Sequence, residues 1–203
     1  MKMKQITAYG ISFAFHPLLI PTLASLLLMN SGFYFAMLSF NSKKLMLLVV
    51  FLSTFLLPLI TIGLMSFSSR LKPDLNKSPD RVVPMLSTAI FYYMGYYLLG
   101  RMQVYPVYRI FLISSILIIV ILTLVSVRWK ISAHMAGIGG LIGAITALSL
   151  RLGLNSSLLL AVLIGIAGLI GSSRLILDKH TPMQVYAGFL SGFGVNYFVI
   201  SYI

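Results

Sequence analysis

The chain has 203 residues, 59% of them hydrophobic and only 9% charged, with a mean hydropathy of +1.01. A soluble domain of this length carries about a quarter charged residues, so a soluble fold is excluded. Fifteen Lys and Arg face three acids, all aspartate, for a net charge of +12, and cysteine is absent; disulfides, thiolate chemistry and cysteine-bound metals are thereby ruled out, and without a soluble basic domain a nucleic-acid partner is ruled out too.

Seven apolar segments follow one another at roughly 6–29, 44–67, 84–100, 107–127, 134–150, 156–173 and 182–202. Most are long enough to cross a hydrocarbon core of about 30 Å. The first follows Lys2 and Lys4 and is too long for the core of a signal peptide, so it is expected to be a retained membrane helix. It contains His16 beside Pro17, with Pro21 beyond. A kinked helix whose histidine satisfies a freed carbonyl is the expected arrangement, although a polar side chain at this depth is also a functional candidate. The third segment is short and rich in tyrosine (Tyr92, Tyr93, Tyr96, Tyr97), and a re-entrant or interfacial course is an alternative for it. The expectation is an all-α polytopic transmembrane bundle of six to seven spans, forming a single domain over 1–203.

If all seven segments cross, the N-terminus, 68–83, 128–133 and 174–181 share one face. The opposite face keeps only Lys43, Lys44, Arg101, Arg109 and Arg151, leaving the other ten of the fifteen basic residues together with all three aspartates, His134 and His180. The positive-inside rule would put that crowded face in the cytoplasm. Several of its cations are substrate-binding candidates, however, and discounting them leaves the orientation open.

Three clusters on this face have the makings of chemistry. In the loop before the third segment, Lys72, Lys77 and Arg81 lie close together, with snorkelling to headgroups as the plain alternative. In Arg128-Trp129-Lys130-Ile131-Ser132-Ala133-His134, the histidine falls at the start of the fifth helix. Unpaired backbone N–H groups and the helix dipole favour an anion there, Ser132 adds a hydroxyl and Lys130 a cation. In Ser173-Arg174-Leu175-Ile176-Leu177-Asp178-Lys179-His180-Thr181-Pro182-Met183-Gln184, Pro182 suits a first helical turn and Thr181 its cap. His180 and Gln184 are four apart and share a face. Two intervening hairpins return the chain to the face it left, so the three clusters are expected to meet. Small residues four apart (Ala136/Gly140, Gly139/Gly143, Gly188/Gly192) suit close helix approach.

These residues resemble the motifs of the type 2 phosphatidic acid phosphatase superfamily, which includes lipid phosphate phosphatases and vanadium haloperoxidases, over about 72–190. Ser173, Arg174 and His180 match its third motif in spacing, and Ser132 and His134 match two positions of its second. The first motif is weaker: Arg81 precedes Pro84 at a distance, and neither Lys72 nor Lys77 has the family's lysine spacing. Gln184 stands where the family has an aspartate that orients the nucleophile; Asp178 is a nearby alternative.

The resemblance implies a metal-independent, cofactor-free hydrolase of a lipid phosphate or diphosphate (phosphatidate-, phosphatidylglycerophosphate-, polyprenyl- or lipid A-type) in the cell membrane. It implies His180 as the nucleophile, a phosphohistidine intermediate, and His134 as acid and then base. Arg81, Arg174, Ser132, Ser173 and Lys77 or Lys130 would hold the phosphoryl oxygens. Two other readings stay open. Gln184 motivates a lipid-phosphate binder or transporter with impaired chemistry. Asp74 and Asp80 motivate a magnesium-dependent prenyltransferase, for which three aspartates are few.

Overall fold

The computed structural model describes residues 2–30, 38–67, 79–102 and 104–202. Lys72, Asp74 and Lys77 lie outside the described residues. The described chain is helical throughout: α1 Lys2–Ala14, a 3-10 turn Pro17–Leu19, α2 Ile20–Met29, α3 Phe40–Phe51, a π segment Leu52–Leu56, α4 Leu57–Phe67, a 3-10 turn Pro79–Arg81, α5 Val82–Gly100, α6 Pro106–Ser126, α7 Ala133–Leu152, α8 Ser157–Ile176 and α9 Pro182–Tyr202. Among the described residues, six helical stretches are long and apolar enough to cross a membrane, and α9 is as long but falls outside those six. The protein is an all-α, polytopic integral membrane protein.

The first apolar segment is a single candidate span, Met3–Met29, broken beside Pro17 as a kinked helix was expected to be. His16 is extended (φ −62°, ψ 135°), as a residue before proline prefers. Pro17 has no N–H with which to continue the helix. The His16 ring does not satisfy a carbonyl there: its Nδ1 accepts the backbone N–H of Leu18 at 3.4 Å, capping the 3-10 turn. The third apolar segment is a 19-residue helix, the shortest and least apolar of these stretches, as its tyrosines suggested.

Packing gathers the chain into two compact units, Met1–Ile20 with Arg128–Ile203, and Pro21–Val127. Arg81 thus belongs to a different unit from His134 and His180. In the unit Pro21–Val127, α5 and α6 pair as a hairpin. Gly95 lies so close to Ser53 of the π segment that a Cβ would overlap the serine hydroxyl. Arg109 lies over the ring of Tyr96 at 4.8 Å, and Arg101 over Tyr97 at 5.2 Å, as amphipathic rings at a membrane boundary allow.

The other unit is organised around α7, the most buried helix. Its main partner is α9, while α1 packs on α8. The α7–α9 seam runs on glycine. A Cβ at Gly188 would strike the carbonyl of Ser132, one at Gly192 that of Ala136, one at Gly139 that of Phe189, and one at Gly143 that of Phe193. Asn196 crosses the seam, donating to the carbonyl of Gly140 at 2.8 Å. Backbone contact of this kind places the first turn of α7 against the first two turns of α9.

Candidate functional site

Where α7 and α9 begin and α8 ends, His134, Arg174, His180 and Gln184 come together, and the break after α1 adds His16. The α8–α9 connection is built from local rules. Asp178 takes the left-handed conformation (φ 49°) just past α8. The Lys179 N–H bonds to the Arg174 carbonyl at 3.1 Å, and the Asp178 N–H to the Leu175 carbonyl at 3.0 Å. This is a Schellman closure, with aspartate where glycine is usual. Asp178 is exposed and serves this turn.

After Thr181 the chain enters α9, and Gln184 reaches back to it: the Thr181 N–H donates to Gln184 Oε1 at 3.1 Å. Thr-x-x-Gln is one half of a capping box. Because that donor is a backbone N–H, the side-chain atom it meets must be the oxygen, which fixes the amide's orientation. His180 Nδ1 lies 3.2 Å from the same oxygen. The oxygen only accepts, so Nδ1 carries the hydrogen and Nε2 keeps the lone pair in the neutral ring. Gln184 therefore occupies the orienting position, and Asp178 does not.

Gln184 also joins the two histidine segments. Its backbone carbonyl accepts the Ser132 N–H at 3.3 Å. Ser132 is the N-cap of α7 in position only, because its hydroxyl makes no capping bond. The residue is 0% exposed, and Ser132 Oγ has no hydrogen-bond partner among the described residues. A buried hydroxyl without a partner costs about 1–3 kcal/mol, so its persistence points to something it meets in use. Arg174 Nε is likewise buried and unpartnered among the described residues.

His134 is half-buried at the second residue of α7. Its Nε2 lies 3.1 Å from the Ser12 carbonyl, and its ring stands edge-on to that of His16 with centroids 5.5 Å apart. His134 is within electrostatic reach of Arg174, His16 and His180. The expected meeting of the second and third clusters thus occurs within one unit, with His16 beside them.

Ser173 is placed differently from the phosphate contact expected of it. It is 1% exposed, and its hydroxyl donates to the Ile170 carbonyl at 2.7 Å, one turn back in α8. Lys130 is half-buried two residues before Ser132. Arg81 closes the 3-10 turn ahead of α5, in the unit Pro21–Val127, and Lys77 lies outside the described residues. Among the described residues, no three His, Asp, Glu or Cys side chains gather as metal ligands; Asp74, needed for the magnesium reading, is not among them.

Sequence reasoning missed Ser12 and undervalued His16. The capping-box spacing of Thr181 and Gln184 was a signal for the dual duty of that glutamine. No protein-family model matches the sequence, and no curated protein and no solved structure matches it either.

Proposed function

We propose that this protein is a membrane phosphohydrolase that removes phosphate from a lipid phosphate or diphosphate through a phosphohistidine on His180. The observation that carries the reading is the pair of buried donors unpartnered among the described residues, Ser132 Oγ and Arg174 Nε, beside two histidines whose rings are held by acceptors. Donors that persist without partners suit an anion, and phosphoryl transfer asks chiefly for positioning and charge stabilisation.

In the first step His180 Nε2 forms a bond to phosphorus as the bond from phosphorus to the lipid oxygen breaks. The electron pair leaves with that oxygen, which takes a proton from the His134 imidazolium. In the second step water attacks phosphorus and gives its proton to His134. The phosphorus–nitrogen bond breaks, its electron pair returns to His180 Nε2, and phosphate departs. Ser132, Arg174 and the first N–H groups of α7 hold the equatorial oxygens.

The test is phosphate release from a panel of phosphatidate, phosphatidylglycerophosphate, polyprenyl diphosphate and a lipid A-type phosphate, with excess chelator present. Release by the native chain and its loss in His180→Ala and His134→Ala support the reading; full activity in both variants overturns it.

One observation favours a second reading. Gln184 has a complete structural reason to be present, as cap of α9 and clamp on Ser132, without any catalysis. A lipid-phosphate binder or transporter would keep the same arrangement, and saturable binding without turnover, unchanged by Gln184→Asp, would identify it.

A further inference from the structure

Ser12 lies in no motif, yet it touches both halves of the candidate site. Its carbonyl faces His134 Nε2 at 3.1 Å. A carbonyl only accepts, so Nε2 carries the hydrogen and Nδ1 is the nitrogen left to exchange protons. That carbonyl is available because α1 breaks. In a continuous helix it would accept the N–H of residue 16, four positions on. Here the His16 N–H turns to the Phe13 carbonyl at 3.2 Å instead, and Pro17 has no N–H to offer. The His16 ring, accepting from Leu18, holds the break open.

The Ser12 side chain works on the other half. Arg174 Nη1 reaches Ser12 Oγ at 3.4 Å, and Ser12 Oγ lies 3.1 Å from Ser173 Oγ. A guanidinium only donates, and the Ser173 hydrogen is already given to Ile170. The direction of every link follows: Arg174 donates to Ser12, Ser12 to Ser173, and Ser173 to the α8 backbone. Ser12 is itself 7% exposed, so this chain is buried. It fixes one edge of the guanidinium while Nε stays unpartnered among the described residues.

We propose that Ser12 is a positioning residue: its carbonyl sets the tautomer of His134, and its hydroxyl orients Arg174 toward a phosphoryl group. Its effect on turnover rests on the phosphatase reading, whereas the tautomer it imposes does not.

The experiment is nitrogen NMR of the full chain in detergent with 15N-labelled histidine, beside phosphate-release kinetics on the same lipid panel. In its neutral form, read at alkaline pH, His134 is expected as the Nε2–H tautomer. Pro17→Ala lets the His16 N–H recapture the Ser12 carbonyl, so His134 loses that preference, and kcat falls about tenfold or more with KM little changed. Ser12→Ala keeps the carbonyl and removes the hydroxyl: the tautomer stays and KM rises about tenfold. Ser12→Thr restores KM.

A native His134 in the Nδ1–H form, a tautomer unmoved in folded Pro17→Ala, or an unchanged KM in Ser12→Ala would overturn the role of Ser12. If Pro17→Ala does not fold, the native tautomer and the Ser12→Ala and Ser12→Thr pair decide. The Nε2–H tautomer found in a protein that turns over no lipid phosphate would overturn the phosphatase reading and leave the tautomer assignment standing.

Discussion

Gln184 holds His180 from the first turn of α9, its side-chain oxygen accepting the Nδ1 hydrogen at 3.2 Å. The same oxygen takes the Thr181 N–H, so the amide cannot turn over without breaking a helix cap. A neutral carbonyl therefore does here what a carboxylate would do more strongly, because it orients the ring without stabilising its cationic form.

Replacing that carbonyl with a charge should speed the chemistry. In a serine protease, exchanging the orienting aspartate for its amide lowers the rate about 10⁴-fold, mainly through the wrong tautomer. In this protein the tautomer is already correct, so Gln184→Asp is expected to gain only part of that factor, about tenfold to a hundredfold in kcat. Gln184→Ala should lose activity and also weaken the start of α9, by about 1 kcal/mol. Steady-state phosphate release and thermal unfolding in detergent measure the two effects separately.

Ser132→Ala should part function from stability. The hydroxyl is buried with no partner among the described residues, so removing it relieves an unmet polar group, and the melting temperature should hold or rise. Activity should nonetheless drop about 10²-fold, the scale of losing one donor to a developing anion. A parallel fall in both quantities would instead mark Ser132 as a structural hydroxyl.

The α7–α9 seam predicts opposite signs for chemically identical substitutions. Gly192→Ala drives a methyl into the Ala136 carbonyl, whereas Gly194 has nothing within 4 Å of an added Cβ. Gly192→Ala should destabilise by about 1–3 kcal/mol, the usual scale of overpacking. Gly194→Ala should be neutral or stabilise by up to about 1 kcal/mol, since alanine is the better helix former. Denaturation in mixed micelles compares the pair directly.

Asp178→Gly separates a turn residue from a catalytic one. Asp178 occupies a left-handed position at φ 49°, where glycine is at no disadvantage. The variant should keep full phosphate release and gain up to about 1 kcal/mol in stability. Loss of activity without loss of stability would return Asp178 to the site.

The helices were legible because long apolar runs have few other fates, and α7 to α9 lie close to their expected limits. The meeting of His134 with His180 was legible as topology, since a hairpin returns the chain to its starting face. The glycine seam was legible as spacing, though close approach needs backbone placement to establish it. Ser12 was not legible, because the group that binds His134 is a main-chain carbonyl freed by a helix break, and every residue type carries a carbonyl. Ser173 misled for the opposite reason: its motif position suggested the substrate, while its hydroxyl serves its own helix. His16 was read as satisfying a carbonyl, but an extended residue before proline leaves the next N–H groups unpaired, and the ring met one of those.

The most direct test of the account is a rapid-quench trap on His180. Native protein mixed for milliseconds with a 32P-labelled lipid phosphate that it turns over should carry label that is stable to alkali and labile to acid, on His180 alone. His134→Ala should accept label more slowly than the native protein and also release it slowly, and His180→Ala should accept none. Turnover that proceeds with no label on His180, or that persists in His180→Ala, would contradict the account.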